Sequence, residues 1–292
     1  MPRTTVTQDE VIARTAGLPS FPRIVTEILA SLDDPECNLN ELSDYIAHDP
    51  VITARVLSAA NRAANRAPAI RDVYTAASLI GLSHVRQISL LSSIGQFAQI
   101  AADECLPSTY WTHSVAVGVC AEELAVHVAV PIDAEAALIA GLLHDIGQLW
   151  LFRFRSDAFA MAMERAFCRG EGIENAEREQ FDVDHARIGA WLAEHWKLPP
   201  AIVSAIDHHH KIFSPPNEPL APLIGVAEVL ASALDLGGRR ENKVTAISSS
   251  ACTSLGIVFN EKIQPLFGRI EARSQHANRM FATGSDSAHA TR

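Results

Sequence analysis

The segment Ala140-Gly141-Leu142-Leu143-His144-Asp145-Ile146-Gly147 constrains the fold of this chain more than any other stretch. Four small or apolar residues lead into an imidazole and a carboxylate, and Ile146 then resumes the apolar character. Such a run belongs in an interior, where burying either polar group without a partner costs several kcal/mol. The fold must therefore bring compensating groups to His144 and Asp145 from elsewhere. A divalent cation is the most economical compensation, and His113, His185, His209, His210 and Glu228 recur at similar apolar positions as its candidate ligands.

Apolar residues recur along the chain at spacings of three and four, and alternating β-branched runs are nearly absent, so the expected fold class is all-α. After the rigid entry Leu18-Pro19-Ser20-Phe21-Pro22, the spacing of Ile24, Ile28 and Leu32 predicts one helix, and Leu39 to Ile46 a second, short one. Asp49-Pro50 supplies an N-cap and a first-turn proline for a third, striped by Ile52, Val56, Ala59 and Ala60. Ile70 to Leu90 holds two more, broken at Gly81. These make a helical N-terminal lobe over residues 14–106, closed by the polar, proline-bearing segment Asp103 to Ser108. A second lobe over 107–270 holds every candidate ligand, and the polar, small residues of 274–292 read as a fraying, flexible tail.

Within the second lobe, His113 lies in line with Ala116, Val117, Cys120 and Leu124, and His185 with Ile188, Gly189, Leu192 and Trp196, so both imidazoles are expected to face inward. Pro199-Pro200 opens another helix, on which His209 and His210 follow Ile206 at three and four while His208 falls off that face. Glu228 is a lone carboxylate among apolar and small residues, and buried carboxylates are rarely unpaired. Neutral imidazoles with carboxylates suit Fe, Mn or Zn, whereas an all-oxygen set would suit Mg or Ca. A single inward histidine is more often a hydrogen-bonded core residue than a ligand; several together are harder to explain that way. His127, His195 and His208 read as structural or solvent-facing, His48 and His84 have no suitable partners nearby in sequence, and His276 and His289 lie in the tail.

Composition removes other classes. A formal charge of −10 over 292 residues argues against a nucleic-acid partner, because phosphate binding needs clustered Lys and Arg. Cys37, Cys105, Cys120, Cys168 and Cys252 are odd in number and scattered, so they read as reduced, mostly core thiols. No apolar run reaches transmembrane length and no signal-like stretch follows Met1, so a cytoplasmic protein without a membrane partner is expected.

His113, the His144-Asp145 pair and a downstream acid, in that order, resemble the HD superfamily of metal-dependent phosphohydrolases, and His185 with His209-His210 resembles the extra histidines of its HD-GYP branch. The first lobe is more specific. Leu18 to Pro22, Leu42 to Ile46, His48-Asp49-Pro50, Arg55 to Asn61 and Ala76 to Leu82 resemble the signature of HDOD domains, over about residues 14 to 265. The resemblance implies an all-α protein of bacterial signal transduction that acts through a protein partner and hydrolyses nothing, with a homodimer as a further arrangement to consider. It also implies one or two divalent ions. His113 would hold the first, His144 and Asp145 the centre with Asp145 bridging, and His185, His209 and His210 the second, while Glu228 stands where the family has its last aspartate. Three-ion relatives carry an acid where this chain has Thr109.

Two further departures bear on chemistry. The HD-GYP lysine that holds a phosphate is Gln148 here, and the Gly-Tyr-Pro loop is replaced by Lys211-Ile212-Phe213-Ser214-Pro215-Pro216-Asn217. Lys211, Arg153 and Arg187 are the remaining candidates to contact a phosphate. The expected function is therefore a non-catalytic regulator that keeps a metal, and the alternative is a metal-dependent phosphohydrolase acting on a nucleotide or other phosphoester with Asp145 as its catalytic residue.

Overall fold

A computed structural model describes residues 4–18, 20–32, 42–43, 46–64, 70–102, 108–211, 218–237 and 247–285. The described residues are helical with no strand, which agrees with the all-α expectation. The chain divides into two compact units: Ser20–Phe97, and Met1–Pro19 together with Ala98–Arg292.

The smaller unit is built on residues that the sequence motifs singled out. Its helices are α2 (Arg23–Leu32), α3 (Pro50–Ala64), α4 (Val73–Ile80) and the part of α5 (Leu82–Ala102) that runs to Phe97, after α1 (Gln8–Thr15) in the other unit. Asp49 caps α3, its carboxylate accepting from the backbone N–H groups of Val51 and Ile52 at 2.8 and 3.0 Å. Asn61, near the end of α3, donates to Ile70 O at 2.9 Å and accepts from Ile70 N at 2.7 Å, clamping the chain that leads into α4. Arg55 donates to Ser92 Oγ at 3.0 Å, tying α3 to α5. Gly81 takes φ +87° between α4 and α5, a backbone conformation that side chains disfavour. Most of the short helix expected over Leu39 to Ile46, and most of the expected closing segment Asp103 to Ser108, lie outside the described residues.

The larger unit continues with α6 (Ser108–Ala125), α7 (Ala134–Leu143), α8 (Ile146–Arg169), α9 (Ile173–Phe181), α10 (His185–His195), α11 (Pro200–His208), α12 (Leu220–Ala233), α13 (Ser249–Leu255), a short 3-10 turn (Glu261–Ile263) and α14 (Gln264–Ser285). Leu124, Leu138, Ile139, Leu142, Trp150, Phe159 and Phe181 are among its fully buried side chains, each contributing about 1.5–3 kcal/mol by removal from water. The first residues belong here. Thr4 and Val6 donate backbone bonds to Gln180 O and Phe181 O at 3.0 and 2.9 Å, α1 packs on α10, and Glu10 pairs with Arg155, where α8 is interrupted.

At the other end, α14 runs helically to Ser285, which corrects the expectation that the chain frays from Ser274 onward. Ser274 and Ala277 are buried, and Arg269 and Arg273 bind Glu123 of α6 at 3.1 and 2.6 Å, so an apolar stripe and two cations anchor a stretch whose composition looks mobile. Among the described cysteines Cys120 is buried and Cys168 exposed, and none is paired.

Candidate metal centre

The His144-Asp145 doublet does not continue a helix, as its apolar flanks suggest. It forms a two-residue break between α7 and α8, with Asp145 at the N-cap of α8. An N-cap aspartate ordinarily accepts from the first backbone N–H groups of its helix. Asp145 makes no such bond. Its Oδ1 accepts from Gln148 Nε2 at 2.9 Å, Tyr110 Oη donates to its carbonyl at 3.2 Å, and the carboxylate is turned towards imidazoles.

Those imidazoles come from the doublet itself and from three other places in the unit. His113 Nε2 of α6 lies 3.6 Å from Asp145 Oδ2, and His144 Nε2 lies 3.4 Å from the same oxygen. His185, the first residue of α10, places Nε2 3.2 Å from Asp145 Oδ1. His210, in the turn after α11, sets its Nε2 2.9 Å from His185 Nε2 and its Nδ1 3.6 Å from Glu228 Oε2 of α12. The His209 ring stands 5.1 Å from that of His144 and 5.4 Å from that of His185, centroid to centroid.

Candidate ligand atoms gather in three overlapping groups: Asp145, His185, His209 and His210; His113, His144 and Asp145; and His144, His209 and Glu228. Within each group the atoms lie within 4.8 Å of one another. The structure thus brings together every histidine and acid expected at the centre. His113, His144, Asp145, His185 and His209 are buried, while His210 and Glu228 keep 17% and 20% of their side-chain surface exposed, so the cluster meets solvent on their side.

Tight backbone packing brings these elements together. A Cβ on Gly141 of α7 would lie 2.6 Å from Gly118 Cα of α6, and one on Gly147 of α8 would lie 2.8 Å from Gly189 N and overlap the His185 carbonyl of α10. Both approaches require glycine, and they fix α6, α7, α8 and α10 at the distance at which His113, His144, Asp145 and His185 can meet.

Hydrogen bonding fixes which nitrogen each ring presents. His144 Nδ1 lies 2.8 Å from Gly141 O and His209 Nδ1 lies 2.7 Å from Ile206 O. A carbonyl can only accept, so both Nδ1 atoms carry the proton and both Nε2 atoms keep a lone pair. These two Nε2 atoms are buried and form no hydrogen bond among the described residues. Orphaned buried acceptors are rare, and lone pairs aimed at a shared carboxylate are what a divalent ion binds. The donor set fits such an ion.

The titration shifts of His209 and His210 agree with that fit. Burial, reinforced by the neighbouring His210, His144 and His185, holds His209 well below the usual histidine range, and burial with the neighbouring His185 lowers His210 as well, so both rings stay neutral, as a ligand must be. Burial alone would lower His185 too, but the carboxylates of Glu177 and Asp145 outweigh it and raise this ring well above its usual range.

Sequence reasoning missed Glu177. Buried on α9, it accepts through Oε2 from His185 Nδ1 at 2.6 Å and from His185 backbone N–H at 2.8 Å. Its signal in the sequence was a carboxylate on the same helical stripe as Ala176, Gln180 and Phe181, all of which are buried. Two of the three residues nominated for phosphate are engaged by Asp207: Lys211 Nζ lies 3.3 Å and an Arg187 guanidinium nitrogen 3.0 Å from its Oδ2. Thr109 is half-buried at the start of α6, and most of the loop that stands in place of Gly-Tyr-Pro, residues 212–217, lies outside the described residues.

The HDOD domain family model matches residues 18–212, about two thirds of the chain, and the chain belongs to that family. An HDOD domain protein of unknown function from Geobacter sulfurreducens is similar in structure, with a TM-score of 0.73 and 24% identity, covering 92% of this chain and 97% of that one. A candidate phosphohydrolase from Shewanella amazonensis SB2B gives a TM-score of 0.67 at 23% identity, covering 93% and 97%. At these identities the likeness is one of fold. In sequence, an uncharacterized protein of Treponema pallidum (strain Nichols) is 24% identical over 236 residues, 80% of this chain and 46% of the relative, so this chain spans about half the length of that relative. No helix among the described residues is long and apolar enough to cross a membrane.

Proposed function

We propose that this protein is a metal-binding regulator of a bacterial signalling pathway that acts through a protein partner, with one or two ions of Fe, Mn or Zn held by His113, His144, Asp145, His185, His209, His210 and Glu228. The observation that carries the metal is the pair of buried, unbonded Nε2 atoms at His144 and His209, whose Nδ1 protons are already donated to carbonyls. A bound ion would supply Lewis-acid chemistry and a fixed positive charge there.

The preference for regulation over hydrolysis rests on the groups that a phosphoester would need. Hydrolysis of such a substrate needs cations to stabilise its developing charge. Arg187 and Lys211 are instead bound to Asp207, and Gln148, at the position of the relatives' lysine, donates to Asp145. The second reading, a metal-dependent phosphohydrolase with Asp145 as its catalytic residue, is favoured by one feature: two of the three ligand groups share Asp145, as two adjacent ions require.

The test is elemental analysis of the purified protein, followed by assay of the Fe- or Mn-loaded chain on a panel of phosphodiesters and nucleotides beside a His144→Ala, Asp145→Ala double variant. Metal in the parent, none in the variant and no turnover in either is the expected result. Turnover that the variant lacks would move the assignment to the phosphohydrolase.

A further inference from the structure

The geometry points to Glu177 as the positioning residue for the His185 half of the metal centre, a role that rests on the metal-binding reading. His185 opens α10, so its backbone N–H is one of the groups that a helix N-terminus leaves without an internal partner. Glu177 Oε2 accepts that N–H at 2.8 Å and the ring Nδ1–H at 2.6 Å, so one oxygen holds both the main chain and the side chain of the same residue. Rotation about either side-chain bond of His185 would break the shorter contact, and the ring is locked with Nε2 towards Asp145 Oδ1 and His210 Nε2, at 3.2 and 2.9 Å.

With Nδ1–H committed to Glu177, Nε2 is the nitrogen that His185 turns to the centre. His144 and His209 reach the same state through backbone carbonyls. His185 alone of the three uses a carboxylate, which makes its ring the more basic and the stronger ligand. Glu177 is fully buried and comes from α9, a helix that contributes no ligand of its own. Its other oxygen, Oε1, is also buried and has no hydrogen bond among the described residues, so the two bonds to His185 are what keeps this carboxylate in the interior.

The test uses the full chain, stripped with a chelator and then titrated with Co2+ by calorimetry and visible absorption, in parent, Glu177→Gln and Glu177→Asp forms. Folding of each metal-free form is checked by circular dichroism. Glutamine preserves the shape and can still accept one hydrogen bond but lacks the charge; aspartate keeps the charge but falls a methylene short. The expected result is a roughly ten- to hundredfold weaker Co2+ affinity for Glu177→Gln, with an altered ligand-field spectrum, and an intermediate loss for Glu177→Asp. If Glu177→Gln does not fold, Glu177→Asp carries the test, and parent-like affinity and spectrum there overturn the proposal. A folded Glu177→Gln with parent-like affinity and spectrum overturns the positioning role while leaving the metal centre standing. A parent chain that takes up no Co2+ overturns the metal-binding reading and this role with it.

Discussion

Replacing Gly147 by alanine should disable the centre without touching a ligand. The added methyl would sit 2.8 Å from both Gly189 N and the His185 carbonyl carbon, and closer still to that carbonyl's oxygen, all backbone atoms that cannot swing aside. Relieving the oxygen contact, the shortest of the three, requires α8 and α10 to part by at least roughly 1 Å. The same retreat takes Asp145 Oδ1 and His185 Nε2 from 3.2 Å to about 4.2 Å, the widest spacing at which two ligands about 2.1 Å from one ion can share it, and then only from opposite sides. Overpacking of this kind costs about 1–3 kcal/mol, which for a chain of this size lowers the melting temperature by roughly 2–10 °C. Metal content and thermal unfolding measured on Gly147→Ala beside the parent test both consequences. A variant that melts with the parent and holds the same metal would refute the argument that this close approach sets the ligand geometry.

Other expectations follow from the same structure. Chelation should destabilise the protein, because an ion bound only by the folded state contributes about 4 kcal/mol at a thousandfold excess over its dissociation constant; melting that is unchanged after verified metal removal would count against a structural ion. Acid should weaken the attachment of α14. Burial raises the Glu123 carboxyl, but hydrogen bonds from Arg273 and Arg269 overcome this and leave it below its usual range. A depressed carboxylate stabilises the fold at pH values above its unfolded value, near 4.3, and that stability is lost as pH falls through the lower folded value. Urea midpoints from pH 6 to pH 3 should therefore show the parent's advantage over Glu123→Gln shrinking below about pH 4.3, and an advantage that stays constant through that range would remove the attachment from the account.

Much of the centre was legible in the sequence, because a buried ligand must sit on an apolar helical stripe. His113 among Ala116, Val117 and Cys120, and His185 among Ile188 and Leu192, showed that pattern, and the structure buries both rings. The same reasoning failed where polarity was misleading. The residues from Ser274 looked solvent-borne, yet Ser274 and Ala277 are buried in α14, and the helix is held by arginines whose partners, Glu122 and Glu123, lie about 150 residues earlier. Glu177 escaped for a related reason. Its partner is eight residues away, across the end of one helix and the start of the next, and no helical period connects the two. Arg187 looked available for an anion because its partner, Asp207, could be assigned only once α10 and α11 were placed side by side, whereas Lys211 meets the same aspartate at a four-residue spacing that the sequence already displayed.

By itself the sequence determined the all-helical class, the family, and the chemical nature of the donors, since periodicity, capping residues and side-chain type are local properties of the chain. Tertiary structure decided the rest: that Asp145 forgoes its cap to face imidazoles from α6, α10 and the turn after α11, that Glu177 holds His185, and that Asp207 claims Arg187. Each of these depends on the separation of atoms from different helices, and that separation is set by backbone contacts such as Gly118 against Gly141 and Gly147 against Gly189, which no single segment encodes.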